Sequence, residues 1–249
     1  MVLKNMLKRD KYGYISSSMR LRQMLSVLRK YDAVRGMNPV RMRLILEALG
    51  PTFVKLGQVI SMRPDFLPNE YIYELSKLRT RANPLPFEVI KEVIEKEYAQ
   101  KWSNVFKQID ENALGSASIA QVHRAVLKTG EKVVIKVQRP GIYDIMTQDI
   151  MLLKRTVALL QIFSKSRDVV DFTAVVDEMW TITKQEMDFM MEADHIDEFR
   201  HLNSDDTHVE CPHVYRKLTT ARILVMEYVD GIRIDEIDKL KQAGYNVET

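Results

Sequence analysis

Apolar positions along the chain follow two periods, and the change from one to the other divides it. In residues 16–31, Leu21, Met24, Leu25 and Leu28 recur at helical spacing, with Arg20, Arg22, Arg29 and Lys30 elsewhere around the helix. Two readings of this segment stand level: a basic amphipathic helix on a membrane surface, or a helix packed on its own domain with a solvated basic face. Asn38-Pro39 sets a cap residue before proline at the first helical position, and the pattern runs to Leu49, where Gly50-Pro51 punctuates it. A second helix runs through residues 52–62 and is stopped by Arg63-Pro64. Residues 70–79 and 86–99 repeat the i, i+3, i+4 spacing, with Val89, Ile90, Val93 and Ile94 as the core stripe of the latter. The spacing therefore predicts an all-helical unit of about four helices over 39–99.

After Trp102 the period shortens to two. Strands are expected near 117–127 and 131–138 around a turn at Thr129-Gly130, with Val133, Ile135 and Val137 alternating with Val134, Lys136 and Gln138. Arg139-Pro140-Gly141 ends the hairpin. Helical patterns follow at 142–163 and at 171–202, the second opened by Asp171 as a cap. Two more strands are expected near 213–217 and 222–229, then a turn at Asp230-Gly231 and the beginning of another helix.

Composition narrows the function classes. With 249 residues, 46% of them hydrophobic and 29% charged, the chain is that of a folded protein. Its one cysteine, Cys211, excludes an internal disulfide and any zinc site with two cysteine ligands, and points to a reducing compartment. The net charge of +3 is uneven: residues 1–50 carry +8 and the remainder −5, which points the N-terminal part at an anionic surface. No segment has the roughly 20 apolar residues that span a bilayer, and the start has no signal-peptide core. A nucleic-acid partner has little support, because no recognisable module accompanies the charge.

Three features carry candidate chemistry. Gly115, Ser116, Ala117 and Ser118 form a run of small residues just before a strand, where backbone can approach phosphate oxygens closely, although such a run is more often only a turn. Lys136 lies in an otherwise apolar strand, where its charge costs desolvation unless it meets an anion; an edge-strand lysine reaching water is the plainer reading. Glu186, Asp188 and Glu192 lie on the predicted helix 171–202, with Glu192 able to face inward beside Phe189 and His195. Acidic helix faces are usually just solvated. A strand lysine together with a helix glutamate is, however, the pair with which kinases hold nucleotide phosphates.

Several longer stretches, taken together, resemble one family. LGPTFVKLGQVISMRPDFLP (49–68) is similar to the signature of the UbiB/AarF/ADCK family of atypical protein-kinase-like proteins, its KxGQ motif falling on Lys55, Gly57 and Gln58. SASIAQVHRA (116–125) resembles the family's alanine-rich loop and following strand, and VIKVQRPG (134–141) its lysine strand. EMDFMMEA (186–193) resembles its ExD motif, Glu186 and Asp188, followed by the glutamate that partners the lysine, Glu192. LVMEYVDG (224–231) looks like the hinge, with Met226 as gatekeeper and Glu227 to Val229 offering backbone groups to adenine.

The resemblance implies an α+β fold. A basic segment (1–38) and a helical KxGQ extension (39–110) would precede a kinase-like N-lobe (111–249) built of an antiparallel sheet and one long helix. It implies ATP and Mg2+ as cofactors, with Lys136, Glu192, the 115–118 turn, Glu227 and Val229 at the nucleotide and Lys55, Gly57, Gln58, Glu186 and Asp188 as a gate over the cleft. It implies ATPase rather than ordinary protein-kinase activity, a role in ubiquinone biosynthesis, and association with membranes and isoprenoid lipids, in a cytoplasmic protein at the inner face of the plasma membrane. Two departures qualify this. The loop reads Gly115-Ser116-Ala117-Ser118 where many members have consecutive alanines. No HxD…N loop and no DFG follow Gly231, so the C-lobe, its catalytic residues and its metal ligands are expected to be missing from a truncated chain without activity of its own. The alternative is a non-enzymatic membrane- or lipid-binding or scaffold module.

Overall fold

The computed structural model describes residues 17–64, 66–78, 82–163 and 172–246. In chain order the helices are α1 (Ser17–Lys30), α2 (Pro39–Leu49), α3 (Pro51–Ser61), α4 (Asn69–Leu75), α5 (Phe87–Tyr98), α6 (Ile142–Phe163), α7 (Phe172–Glu186), α8 (Phe189–Leu202) and α9 (Ile237–Gln242). The strands are β1 (Phe106–Ile109), β2 (Gly115–Ser116), β3 (Ala120–Leu127), β4 (Lys132–Gln138) and β5 (Ile223–Glu227). They form one antiparallel sheet in the order β1-β3-β4-β5, with β2 also paired to β3.

Helices α1 to α4 share a core of Ile45, Leu46, Leu49, Phe53, Ile60, Leu75 and Leu78. Asn38 caps α2 as expected, its side chain accepting from the Arg41 amide. Gly50 joins α2 to α3 with φ 105°, a conformation that side-chain-bearing residues rarely adopt. Helix α1 lies on this unit through Met24, Val27 and Leu28, while Leu21 and Leu25 remain 47% and 44% exposed. Of the two readings of residues 16–31, packing on its own domain is the one seen for α1. Arg20 is not part of a solvated basic face: it is buried, and its guanidinium grips both carboxylate oxygens of Asp149 on α6 at 2.6 and 2.7 Å. It also donates to the Leu49 carbonyl, and Thr52 donates to Asp149 at 2.7 Å. Charges so buried are tolerated because every one is paired and hydrogen-bonded.

Helix α5 does not continue the helical unit. Its Ile90 and Ile94 pack on one sheet face with Phe106, Leu127, Val133, Ile135, Val137, Ile223 and Val225. The stripe that reads as a helix-bundle seam is the lid of a sheet, a distinction that helical period alone does not make. The opposite face meets α8 through Ala120, Phe189, Ala193, Val214 and Leu224. Helices α6 and α7 bridge the two parts: Ile150, Val176 and Met179 pack with Leu56 and Val59 of α3, and Ile142 and Met146 pack with Ile119 and Met187.

The elements differ from expectation at three places. The predicted helix 171–202 is two helices broken at Met187-Asp188, because Asp188 is extended and its carboxylate caps α8 by accepting from the Met190 amide at 3.0 Å. Residues 213–217 form no strand; one bridge joins Val214 to Met226, and Arg216–Leu218 is a 3-10 turn. Strand β1 was not expected, because a register shift between Phe106 and Gln108 places Phe106 and Ile109 inward and hides the alternation. The proposed cap Asp171 lies outside the described residues.

Candidate functional site

Strand β4 is central, flanked by β3 and β5, so Lys136 is not the edge-strand lysine of the plainer reading. It stands opposite Val122 of β3 and Leu224 of β5. Alternation assigns Val133, Ile135 and Val137 to the α5 face and Lys136 to the face beneath α8. There its ammonium group meets both carboxylate oxygens of Glu192, at 2.8 and 2.6 Å, and lies 4.8 Å from the centre of the Phe189 ring. The side chains keep 24% and 33% exposure, so the pair is open to a ligand from solvent.

The break at Asp188 is what brings Glu192 to the lysine. It starts α8 afresh, so that Phe189, Glu192, Ala193 and Ile196 line the inner side while His195 is exposed and not inward as expected. Gln138 holds the break from β4 by donating to the Met187 carbonyl at 2.8 Å, and the Phe189 amide donates to the Ala221 carbonyl. On the outer side, Arg216 clamps Asp194 and Asp197, each at 2.6 Å. The two carboxylates hold the Arg216 guanidinium above its ordinary pKa.

The KxGQ residues divide three tasks. Lys55 forms an ion pair with Glu186, the last residue of α7. Gly57 faces the helical core, where a Cβ would stand 2.3 Å from the Leu78 Cδ1 and 2.8 Å from that of Leu46. Gln58 donates to the Leu78 carbonyl at 3.3 Å. The structure thus brings Lys55 to Glu186, while the carboxylate of Asp188 is engaged as the α8 cap.

The small-residue run does lie just before a strand, and its first half is itself strand β2: Gly115 pairs with Val122 and Ser116 with Gln121, and the chain reverses over 117–119 into β3. Its supports were not legible as site residues in the sequence. Arg139 donates from Nε to the Ala117 carbonyl at 2.8 Å and from Nη2 to Ser116 Oγ and the Asn83 carbonyl, both at 2.7 Å. Its amide donates to the Ile119 carbonyl. Buried Gln121 exchanges hydrogen bonds with the Leu85 backbone and accepts from Ser116 Oγ. It also meets Nε2 of the fully buried His123, whose Nδ1 faces the Asp110 carbonyl; burial pushes the imidazole pKa down.

At the expected hinge the Glu227 amide donates to the His213 carbonyl and the Tyr228 amide to the Lys132 carbonyl. Those donors are used, so a ligand edge is left the Val229 amide, which has no partner among the described residues. Among the described residues no three His, Cys, Asp or Glu side chains gather as a metal site, and no helix is long and apolar enough to cross a membrane.

An uncharacterized protein from the hydrogenase 1 5′ region of Clostridium pasteurianum is 42% identical over 212 residues, spanning 85% of this chain and 40% of that protein. The probable protein kinase UbiB of Marinobacter nauticus is 35% identical over 207 residues, covering 83% of this chain and 38% of that one. This chain therefore spans about two fifths of the length of both relatives. Among solved structures, Rv3197 of Mycobacterium tuberculosis, determined in complex with erythromycin, superposes with a TM-score of 0.56 at 27% identity, over 88% of this chain and 53% of that one. Residues 77–249 match the profile of the ABC1 atypical kinase-like domain. The antiparallel sheet with α8 across one face is that of a kinase-like N-lobe, and the chain belongs to the ABC1 atypical kinase-like family.

Proposed function

We propose that this chain is the nucleotide-binding lobe of an atypical kinase-like ATPase or phosphotransferase, with ATP as its ligand. The observation that carries the reading is the ion pair of Lys136 with both oxygens of Glu192 across β4 and α8. It fixes an ammonium group at a partly solvent-exposed position, where it would meet the α- and β-phosphates. The turn of Gly115, Ser116, Ala117 and Ser118 would lie over the phosphates, and the Glu227 carbonyl and Val229 amide would take the adenine edge. Lys55, held by Glu186, places α3 as a gate beside the cleft, and Gly57 and Gln58 seat that helix on its own core. No magnesium ligand is assigned among these residues. The functional boundary of the helical extension would fall after Leu78, since α5 belongs to the sheet.

By the family resemblance, the lobe would serve the biosynthesis of ubiquinone or another isoprenoid lipid, in a cytoplasmic protein at the inner face of the plasma membrane. The scaffold or lipid-binding alternative draws less support, because α1 spends Met24, Val27, Leu28 and Arg20 on packing within the chain. The test is ATP-dependent thermal stabilisation of the chain and of Lys136→Met. ATP at a hundredfold excess over its Kd should stabilise the wild type by about 2.7 kcal/mol, a rise of several degrees in Tm, and should stabilise the variant far less. Equal shifts in both proteins would remove Lys136 from the site.

A further inference from the structure

Arg139 follows directly on the β4 end of the site, yet it touches none of the residues assigned to the nucleotide except those of the turn. Its contacts there are unusually complete: the Ser116 hydroxyl, the Ala117 carbonyl and, through its own amide, the Ile119 carbonyl. A further bond reaches Asn83, in the segment that leads from the helical unit to α5. No carboxylate pairs with Arg139 among the described residues; its side-chain partners are two carbonyls and a hydroxyl. Burial disfavours its charge and pushes its pKa down. A cation so placed, behind a turn and without a counter-ion, favours an anion on the turn.

The geometry of the turn gives this charge a direction. Ser116 pairs with Gln121, whose side chain meets the Leu85 backbone on the α5 side of the sheet. Gly115 pairs with Val122, and Val122 with Lys136, on the opposite side. Arg139 reaches Ser116 Oγ and therefore works from the α5 side. The chain has no cis peptide bond, and in a trans peptide the N–H points away from the preceding C=O. With the Ala117 carbonyl held towards Arg139, the Ser118 amide faces away from it, towards the side of the sheet that carries Lys136. That amide has no partner among the described residues.

We propose that Arg139 is a positioning residue for nucleotide phosphates: by holding the Ala117 carbonyl and Ser116 from behind, it aims the Ser118 amide at the phosphates bound by Lys136. The inference rests on the nucleotide reading above and adds to it which group orients the turn and which backbone donor the turn supplies.

Titration calorimetry of the whole chain with ATP and with adenosine tests it, on wild type, Arg139→Ala, Arg139→Lys and Ser116→Ala. Loss of one charge-assisted contact to phosphate should weaken ATP binding by Arg139→Ala about tenfold, while adenosine binding changes by no more than about twofold. Arg139→Lys keeps the charge without the fork and should fall in between. Ser116→Ala, which leaves Arg139 in place, should show the same split to a smaller degree, and it decides the matter if Arg139→Ala does not fold. Equal loss of ATP and adenosine would make Arg139 merely structural and overturn the proposal. So would unchanged ATP binding by Arg139→Ala under conditions in which the separate variant Lys136→Met loses it. A wild type that binds no nucleotide overturns the nucleotide reading and this proposal with it.

Discussion

At Gly57, α3 packs closely on the rest of the helical unit, with the Leu46 and Leu78 side chains filling the space a Cβ would need. Gly57→Ala should therefore overpack a core that cannot expand freely and cost about 1–3 kcal/mol, read by chemical denaturation, although alanine is the better helix former. His123 offers a different handle. Its Nδ1 donates to the Asp110 carbonyl and its Nε2 accepts from Gln121, so the folded protein holds it neutral, with its pKa depressed by burial. The unfolded chain takes up that proton first as pH falls through about 6.5. The His123 contribution to stability is thus complete above that value and is lost below it, at a slope of up to about 1.4 kcal/mol per pH unit until the folded protein also protonates. A His123→Gln variant should show a flatter stability profile below about pH 6.5, where the imidazole of the unfolded chain begins to take up its proton. The Lys136–Glu192 pair was legible in the sequence because its residue types and motif order are distinctive. Arg20, Asp149 and Arg139 were not, because each acts through partners that only the fold brings near: 129 positions separate Arg20 from Asp149.

At the scale of elements, the cap at Asp188 decides the site. A continuous helix over 172–202 would have put Glu186 and Glu192 on different faces of one rod. The break lets Glu186 end α7 towards Lys55 and Glu192 open α8 towards Lys136. Asp188→Ala should cost about 1 kcal/mol of stability. It should also raise amide exchange in the first turn of α8 more than in α7, as read by hydrogen-exchange mass spectrometry. Equal exchange in both helices would mean that Gln138 and the Phe189 amide hold the break without the carboxylate. The break lies inside a stretch with uninterrupted helical period, and Asp188 is one acid among several there, so periodicity alone does not reveal it. Strand β1 and the 213–217 turn were misread for related reasons. A register shift masks the first, and in the second the backbone folds into a 3-10 turn at Arg216–Leu218 after a single bridge, so apolar residues there do not continue a ladder.

At the scale of the whole molecule, a helical unit and a sheet lobe are joined by the α6–α7 pair, which packs against α3 on one side and against the turn end of the sheet on the other. Among the described residues three ion pairs tie the helical unit to α6 and α7: Arg20–Asp149, deeply buried, and Lys55–Glu186 and Arg63–Glu178, nearer the surface. The buried pair fixes the start of α3 through Thr52, one turn before Lys55. The lobe pairs Lys136 with Glu192 on the sheet face under α8, and the register carries Gly115 to the same face through Val122; that arrangement is the centre of the functional account. The most direct test is the equilibrium affinity for ATP of the wild type, Lys136→Met and Glu192→Gln. The account predicts saturable binding by the wild type and a loss of about tenfold or more in both variants, since Lys136→Met removes the cation at the phosphates and Glu192→Gln the carboxylate that holds it in place. Affinities that are the same in all three proteins would contradict it.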